Sequence, residues 1–150
     1  VVLDGVTDPA NLGAIMRSAL CAGVAGLVVG QHRAVQLTPT AVKSAAGATE
    51  HLPLSVVPGV PSALSRLSAL GRWTVGLDSA GPTSLWELPV ADQPLALVVG
   101  AEGSGLGRLV RDRCEVLARI PISGPIGSLN VSAATAVAVF ELARRRGAPS

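Results

Sequence analysis

The sequence has 150 residues, the length of a single domain. Hydrophobic residues make up 49% of the sequence and charged residues 15%, a composition that excludes an intrinsically disordered chain. The formal net charge is +2, and seven of the twelve basic residues are arginines of the segment 108–146. Such a cluster either attracts polyanions or forms an ordinary solvated surface.

The first half of the chain alternates apolar runs with helix signals. The opening run VVLDG predicts a strand at 1–5, and a helix follows to about residue 22. Asp8 is the predicted N-cap of that helix and Pro9 lies in its first turn. The same alternation predicts strands at 25–30, 52–58 and 72–79, with helices at 38–48 and 61–70.

The second half continues with strands at 94–100 and 115–122 and helices at 106–114 and 128–146. The predicted strands are rich in Val and Leu instead of alternating apolar with polar residues, and helices separate them. This pattern is typical of an α/β fold whose parallel sheet is covered by helices on both faces. No internal boundary appears, so we expect one domain over 1–150.

The cysteines and histidines show no pattern of a metal or catalytic site. Cys21 and Cys114 lack ligand spacing, and we expect both to be small core residues of a protein in the reducing cytoplasm. His32 and His51 are isolated in the sequence. No catalytic triad or paired-carboxylate site is evident.

Three polar clusters follow predicted strands. TDPANLG (7–13) follows the first strand, GAEGSGLG (100–107) the fifth and SGPIGSLN (123–130) the sixth. Ligands of open parallel sheets bind beyond the carboxyl ends of the strands. We therefore expect the three clusters to form one site at that edge of the sheet.

Each cluster also has a plainer interpretation when it is taken alone. The glycine-rich segment matches neither the dinucleotide fingerprint nor the phosphate-binding loop, although its glycines would let a ligand approach the backbone. If it binds no ligand, the glycine-rich segment is simply a flexible turn between a strand and a helix. Arg17 alone is typical of a solvated helix residue, and Asn11 alone of a helix cap.

Taken together, the three segments resemble a known family. LDGVTDPANLGAIMRSALCAG, LALVVGAEGSGLG and IPISGPIGSLNVSAATAVAVFELARRR are similar, in order and spacing, to the three motifs of the SpoU (TrmH-like) RNA ribose 2′-O-methyltransferases of the SPOUT superfamily. The patterns N-x-x-x-x-x-R, G-x-E-G and S-x-N-V-S are all intact. The resemblance covers essentially the whole chain.

The resemblance implies a C-terminal trefoil knot that binds S-adenosylmethionine, with no metal required. It places the cofactor against Val99, Gly100, Ile120, Ile122 and Leu129. It places the reaction centre at Asn11, Arg17, Glu102, Ser128 and Asn130. Three roles stay open for Arg17: general base, phosphate ligand and stabiliser of the developing alkoxide.

The resemblance also implies an RNA substrate and a homodimer formed through the C-terminal helix. The last motif is most similar to the branch that methylates a guanosine of 23S ribosomal RNA, with transfer RNA and the antibiotic-resistance branch as alternatives. We expect an N-terminal RNA-binding domain to be absent from this chain. Two other classes compete: a nucleotide-binding oxidoreductase, whose fingerprint is missing, and a catalytically inert RNA-binding module, which would not need the intact motifs.

Overall fold

The computed structural model describes residues 1–33 and 37–147. Strands and helices alternate along most of these residues, and the predicted α/β class is confirmed. In chain order the main elements are β1 (Val2–Asp4), α1 (Pro9–Cys21), β2 (Leu27–Gly30), α2 (Pro39–Ala45), β3 (Leu54–Val57), α3 (Val60–Ala69), β4 (Trp73–Leu77), β5 (Thr83–Ser84), β6 (Leu95–Gly100), α4 (Arg108–Arg113), β7 (Val116–Arg119) and α5 (Val131–Arg145).

Within the described ranges, seven strands form one sheet in the order β3-β2-β1-β6-β4-β7-β5. Every neighbouring pair is parallel. Strand β6 lies between β1 and β4, with Asp4 beside Gly100 in the register. The carboxyl ends of β1, β6, β4 and β7 therefore stand side by side along one edge, where the loops that follow them can share a site.

Helices cover both faces of the sheet, as the Val- and Leu-rich strands predict. Because successive strand residues point to opposite faces, Leu3 and Val99 belong to the core cluster that includes residues of α1, α2 and α5. Val2 and Val98 belong to the cluster on the other face, with residues of α3 and α4. The helix α1 packs against both α2 and α5, which holds the first and last motifs together.

Polar side chains fix where the helices begin. The Asp8 carboxylate accepts from the amide of Ala10 at 3.1 Å, so the predicted N-cap of α1 is confirmed. Asn130 caps α5, and its side-chain oxygen accepts from the amide of Ser132 at 2.9 Å. The predicted helix at 128–146 therefore begins three residues later, at Val131, because Asn130 takes the non-helical capping conformation.

Three other details of the sequence prediction were wrong. Strand β7 ends at Arg119 and not at 122, because Pro121 has no amide hydrogen for the ladder. The short strand β5, which pairs with β7, was missed because two residues carry no periodic signal. Cys21 is exposed and not a core residue, whereas Cys114 is partly buried.

The described helices include none with the length and apolar character that crossing a bilayer requires. The trefoil knot implied by the resemblance stays a prediction.

Candidate active site

A cavity of about 350 Å³ lies at the carboxyl edge of the sheet. Its walls come from the ends of β4, β6 and β7, the loop that follows β6, and the segment that leads into α5. All five residues that the resemblance assigns to the cofactor line this cavity: Val99, Gly100, Ile120, Ile122 and Leu129. The volume is in the range typical of small-molecule sites in proteins, and the lining combines apolar side chains with a few polar groups.

The loop after β6, residues 100–107, is a compact turn closed on itself. Ala101 and Gly105 exchange two backbone hydrogen bonds, of 3.1 and 2.8 Å. A Cβ atom on Gly100 would collide with backbone atoms of Gly105 and Leu106. The resemblance places the cofactor against Gly100, but the space that a side chain of Gly100 would occupy is filled by the loop's own backbone. Gly100 is therefore needed first for the shape of the loop.

Asp4 anchors the far end of this loop, and the sequence analysis missed it. Its Oδ2 atom accepts from the amide of Gly107 at 2.7 Å, across the sheet edge from β1 to the start of α4. The available signal was a carboxylate at the end of an otherwise apolar strand. The bond fixes the glycine loop relative to the first motif.

Three of the predicted reaction-centre residues come together. The Nδ2 atom of Asn130 donates to Oδ1 of Asn11 at 3.2 Å and to Oε1 of Glu102 at 3.4 Å. We call these residues the Asn11–Glu102–Asn130 cluster. Each comes from a different motif, so one amide links all three. The oxygen of the same amide caps α5, which fixes the direction of its nitrogen.

The other two predicted residues lie outside this cluster. Ser128 lines the cavity, in the segment that leads into α5. Arg17 is exposed on α1, and it makes no hydrogen bond or ion pair with another residue of the described ranges. Among the described residues the Arg17 guanidinium thus has no competing partner, and its catalytic assignment stays a prediction.

One ion pair in the cavity wall was also missed. The Nε atom of Arg111 lies 3.3 Å from Oδ2 of Asp78, and both residues line the cavity. Asp78 directly follows β4, so a carboxylate at a strand end was again the available signal.

The arginine-rich segment 108–146 is largely committed to internal contacts. Arg119 donates to the carbonyls of Gly81 and Pro82, and Arg145 donates to that of Leu88. Arg108 is exposed and without a partner among the described residues. The remaining contacts are those of Arg111 with Asp78, Arg113 with Ser65, Arg144 with Glu141, and Arg146 with the carbonyls of Ala91 and Gln93. The cluster seen in the sequence is therefore not one continuous free cationic surface.

Burial raises the pKa of one thiol, that of Cys114 at the end of α4. The pKa of the Cys114 thiol is raised to about 11, first by burial and then by the nearby Asp4 carboxylate. Both causes disfavour the thiolate. The thiol donates to the carbonyl of Val110 at 3.3 Å. It is therefore a packing group of α4 and not a nucleophile.

Known proteins are similar to this chain in sequence and in structure. The 23S rRNA (guanosine-2'-O-)-methyltransferase RlmB of Yersinia pestis is 46% identical over 147 residues, which are 98% of this chain and 59% of that protein. The SpoU methyltransferase AviRb from Streptomyces viridochromogenes, solved in complex with AdoMet, superimposes with a TM-score of 0.88 at 32% identity, covering 99% of this chain and 58% of AviRb. A protein solved in a study of the 2-OH methylation of C/U34 on tRNA superimposes with a TM-score of 0.82 at 27% identity, and the match covers 97% of this chain and 93% of that protein.

The chain spans 58% or 59% of the length of the curated relatives it matches. The match to the family model extends over residues 1–140, which include the first two motifs, the third motif as far as Phe140, and all of the sheet. The chain therefore belongs to the SpoU rRNA Methylase family.

Proposed function

We propose that this chain transfers a methyl group from S-adenosylmethionine to a ribose 2′-hydroxyl of RNA, with a guanosine of 23S ribosomal RNA as the substrate. One observation carries the proposal. The Asn11–Glu102–Asn130 cluster unites the three motifs, and it adjoins a cavity lined by all five residues expected to hold the cofactor. The similarity to RlmB of Yersinia pestis supports the choice of substrate.

The cavity fits the adenosine part of S-adenosylmethionine. Val99, Ile120, Ile122 and Leu129 offer apolar surface to a flat base. The glycine loop, residues 100–107, provides backbone amide and carbonyl groups that can hydrogen-bond to the polar edge of the base. When bound, the cofactor supplies a methyl group on a positively charged sulfur, which leaves as a neutral thioether. AviRb, solved with AdoMet, supports this choice of ligand.

The Asn11–Glu102–Asn130 cluster is proposed to orient the ribose. A 2′-hydroxyl is a weak nucleophile, and its proton must leave near the transition state. The Glu102 carboxylate is exposed, and its position is fixed by Asn130, so it can accept a hydrogen bond from the hydroxyl. Ser128, in the cavity wall, is proposed to help hold the ribose.

Arg17 is proposed to bind the phosphate beside the target ribose and to stabilise the developing alkoxide. Its guanidinium is exposed and has no partner among the described residues, so its N–H groups are available to hydrogen-bond with RNA. A guanidinium keeps its proton in proteins, which makes a general-base role unfavourable. It binds phosphate by two parallel hydrogen bonds.

Two measurements test the proposal. Calorimetry with S-adenosylhomocysteine should show binding, with NAD⁺ as the control ligand that does not bind. A transfer assay with labelled S-adenosylmethionine and undermethylated 23S ribosomal RNA should label a ribose 2′-oxygen. Binding of NAD⁺ alone would favour an oxidoreductase, and RNA binding without transfer would favour an inert module.

A tRNA substrate is the second candidate. The observation that favours it is the similarity to the structure from the work on C/U34 of tRNA, because this chain covers 93% of that protein and only 58% or 59% of the curated relatives. The same assay with undermethylated tRNA separates the two substrates. Preferential labelling of tRNA would replace the rRNA assignment and leave the chemistry unchanged.

A homodimer and a cytoplasmic location complete the proposal. Val137 and Phe140 project from the outer side of α5 and are 37% and 50% exposed. Large apolar side chains exposed on a helix favour burial against another surface, and a second copy of α5 offers a surface that is also apolar.

The cytoplasmic location is supported by the proposed RNA substrates, which are modified in the cytoplasm.

A further inference from the structure

Asp78 lies in the middle of the cavity edge. It follows β4, which is placed between β6 and β7 in the sheet. Its carboxylate is paired with Arg111, and both residues line the cavity. None of the three sequence motifs includes Asp78.

The carboxylate of Asp78 has unused acceptor capacity. Its Oδ1 atom accepts from the amide of Ala80 at 2.8 Å, and its Oδ2 atom lies 3.3 Å from Nε of Arg111. An ionised carboxylate offers about four acceptor positions, so about two stay free. The side chain is 15% exposed, and it lines the cavity.

The turn that carries Asp78 is fixed before any ligand arrives. Arg119 donates to the carbonyls of Gly81 and Pro82, at 2.9 and 2.7 Å. The carbonyl of Asp78 accepts from the amide of Gly81. A Cβ atom on Gly81 would contact backbone atoms of Leu117 and Ala118, so the turn packs directly on β7. Little ordering is therefore needed when a ligand binds.

We propose that Asp78 binds the 2′- and 3′-hydroxyls of the cofactor's own ribose, an inference that rests on the proposed function. A vicinal diol presents two neighbouring O–H donors, which match the two free acceptor positions. A cationic group is a poorer match, because Arg111 already lies against the same carboxylate. The other carboxylate of the cavity, Glu102, belongs to the Asn11–Glu102–Asn130 cluster, where methyl transfer is proposed.

The test compares ligands and variants in one calorimetric cycle. The ligands are S-adenosylhomocysteine and its 2′-deoxy and 3′-deoxy forms. The proteins are the wild type, Asp78→Asn, and Asp92→Asn as the control for an exposed carboxylate on the turn before β6. The wild type and Asp92→Asn should bind each deoxy ligand about ten- to a hundredfold more weakly than the parent, since a hydrogen bond to a charged group is lost.

The Asp78→Asn variant should bind S-adenosylhomocysteine about ten- to a hundredfold more weakly than the wild type does. Its affinity for the two deoxy ligands should be only slightly lower than its affinity for S-adenosylhomocysteine. If removal of a hydroxyl weakens binding to Asp78→Asn by the same factor as it weakens binding to the wild type, Asp78 does not contact the diol and the inference is overturned. Equal binding of all three ligands by the wild type overturns it without any variant. A wild type that binds none of them overturns the proposed function as well.

Discussion

The Nδ2 atom of Asn130 donates a hydrogen bond to Oδ1 of Asn11, a residue 119 positions away in the chain, over 3.2 Å. The same nitrogen is 3.4 Å from Oε1 of Glu102, and the oxygen of the same amide caps α5. One side chain thus begins the last helix and joins the three motifs. An asparagine suits both roles, because its amide carries an acceptor and a donor on one planar group.

Substitution of Asn130 separates these two roles. Asn130→Asp keeps the capping oxygen but replaces the donor by a second acceptor that faces Glu102. We expect it to retain the stability of the wild type within about 0.5 kcal/mol and to lose at least about tenfold in methyl transfer, the loss of a charge-assisted hydrogen bond. Asn130→Ala should lose about 1 kcal/mol of stability as well as transfer. Thermal unfolding and single-turnover transfer measure the two effects.

The control for capping alone is Thr38→Ala. Thr38 is the N-cap of α2, and its hydroxyl accepts from the amide of Ala41 at 3.3 Å. This variant should lose about 1 kcal/mol of stability with transfer unchanged. Wild-type transfer by Asn130→Asp would show that the donor to Asn11 and Glu102 has no part in the reaction.

Much of the fold could be predicted because its signals are local. The Val- and Leu-rich strands, the Asp8 cap and the three polar clusters after strands 1, 5 and 6 of the prediction indicated a parallel sheet with a site at its carboxyl edge. The strand order could not be predicted, because it depends on contacts between distant segments. The placement of β6 between β1 and β4 is what lets Asp4 reach Gly107.

The sequence indicated candidate residues for the site, which stay a prediction, but it could not indicate the contacts between them. The family motifs indicated Asn11, Glu102 and Asn130, yet only the folded chain shows that a single amide joins them. Asp4 and Asp78 were missed because one carboxylate at a strand end is a weak signal until its partner is known. The reason for Gly100 was misjudged, since the neighbour that excludes a side chain is five residues away in the same loop.

Gly100→Ala should damage the glycine loop from within. The new methyl group would meet the backbone of Gly105 and Leu106, which cannot move without opening the turn. We expect a loss of about 1–3 kcal/mol in the free energy of unfolding, the usual cost of overpacking. We also expect affinity for S-adenosylhomocysteine to fall at least about tenfold, because ~1.4 kcal/mol of distortion at the binding loop is enough for that change.

Gly124→Ala is the control for this substitution. A Cβ atom on Gly124 meets no atom within 4 Å, and the residue lies in the segment before α5 but is not among the described residues that line the cavity. Stability and affinity should both stay at the wild-type values. If Gly100→Ala matches this control, the loop is looser than its packing indicates. Urea unfolding and calorimetry provide the two measurements.

Arg17→Lys should affect transfer alone. Because Arg17 is exposed and without a partner among the described residues, stability should change by less than about 0.5 kcal/mol. Lysine cannot reproduce the two parallel bonds of a guanidinium to phosphate. Loss of ~1.5–3 kcal/mol slows single-turnover transfer by roughly ten- to over a hundredfold, while affinity for S-adenosylhomocysteine stays constant.

The control is Arg66→Lys, because Arg66 is also exposed and lies on α3; stability, transfer rate and affinity for S-adenosylhomocysteine should all stay unchanged. A wild-type rate of transfer in Arg17→Lys would make Arg17 an ordinary solvated residue. A much larger loss would instead favour a direct part in proton transfer.

The two thiols should differ sharply in reactivity. Cys21 is exposed, whereas the pKa of Cys114 is raised to about 11 by burial and by Asp4. At pH 8 only about one Cys114 thiol in a thousand is ionised, and the thiolate is the reactive form. Ellman's reagent should therefore titrate one thiol rapidly in the native protein and two after unfolding. Cys21→Ser should abolish the rapid phase, and two rapid thiols in the native wild type would contradict the packing of Cys114.

The outer side of α5 should hold two copies of the chain together. Val137 and Phe140 are the large apolar residues exposed there, and burying such a side chain contributes about 1.5–3 kcal/mol. Replacing both by glutamate should raise the dimer dissociation constant more than about a hundredfold, since at least ~3 kcal/mol is lost. Leu70→Glu is the control, because Leu70 is 71% exposed at the end of α3. Light scattering at micromolar concentration should give a dimer for the wild type and Leu70→Glu and a monomer for the double variant. A monomeric wild type, or a double variant that still dimerises, would exclude this side of α5 as the dimer interface.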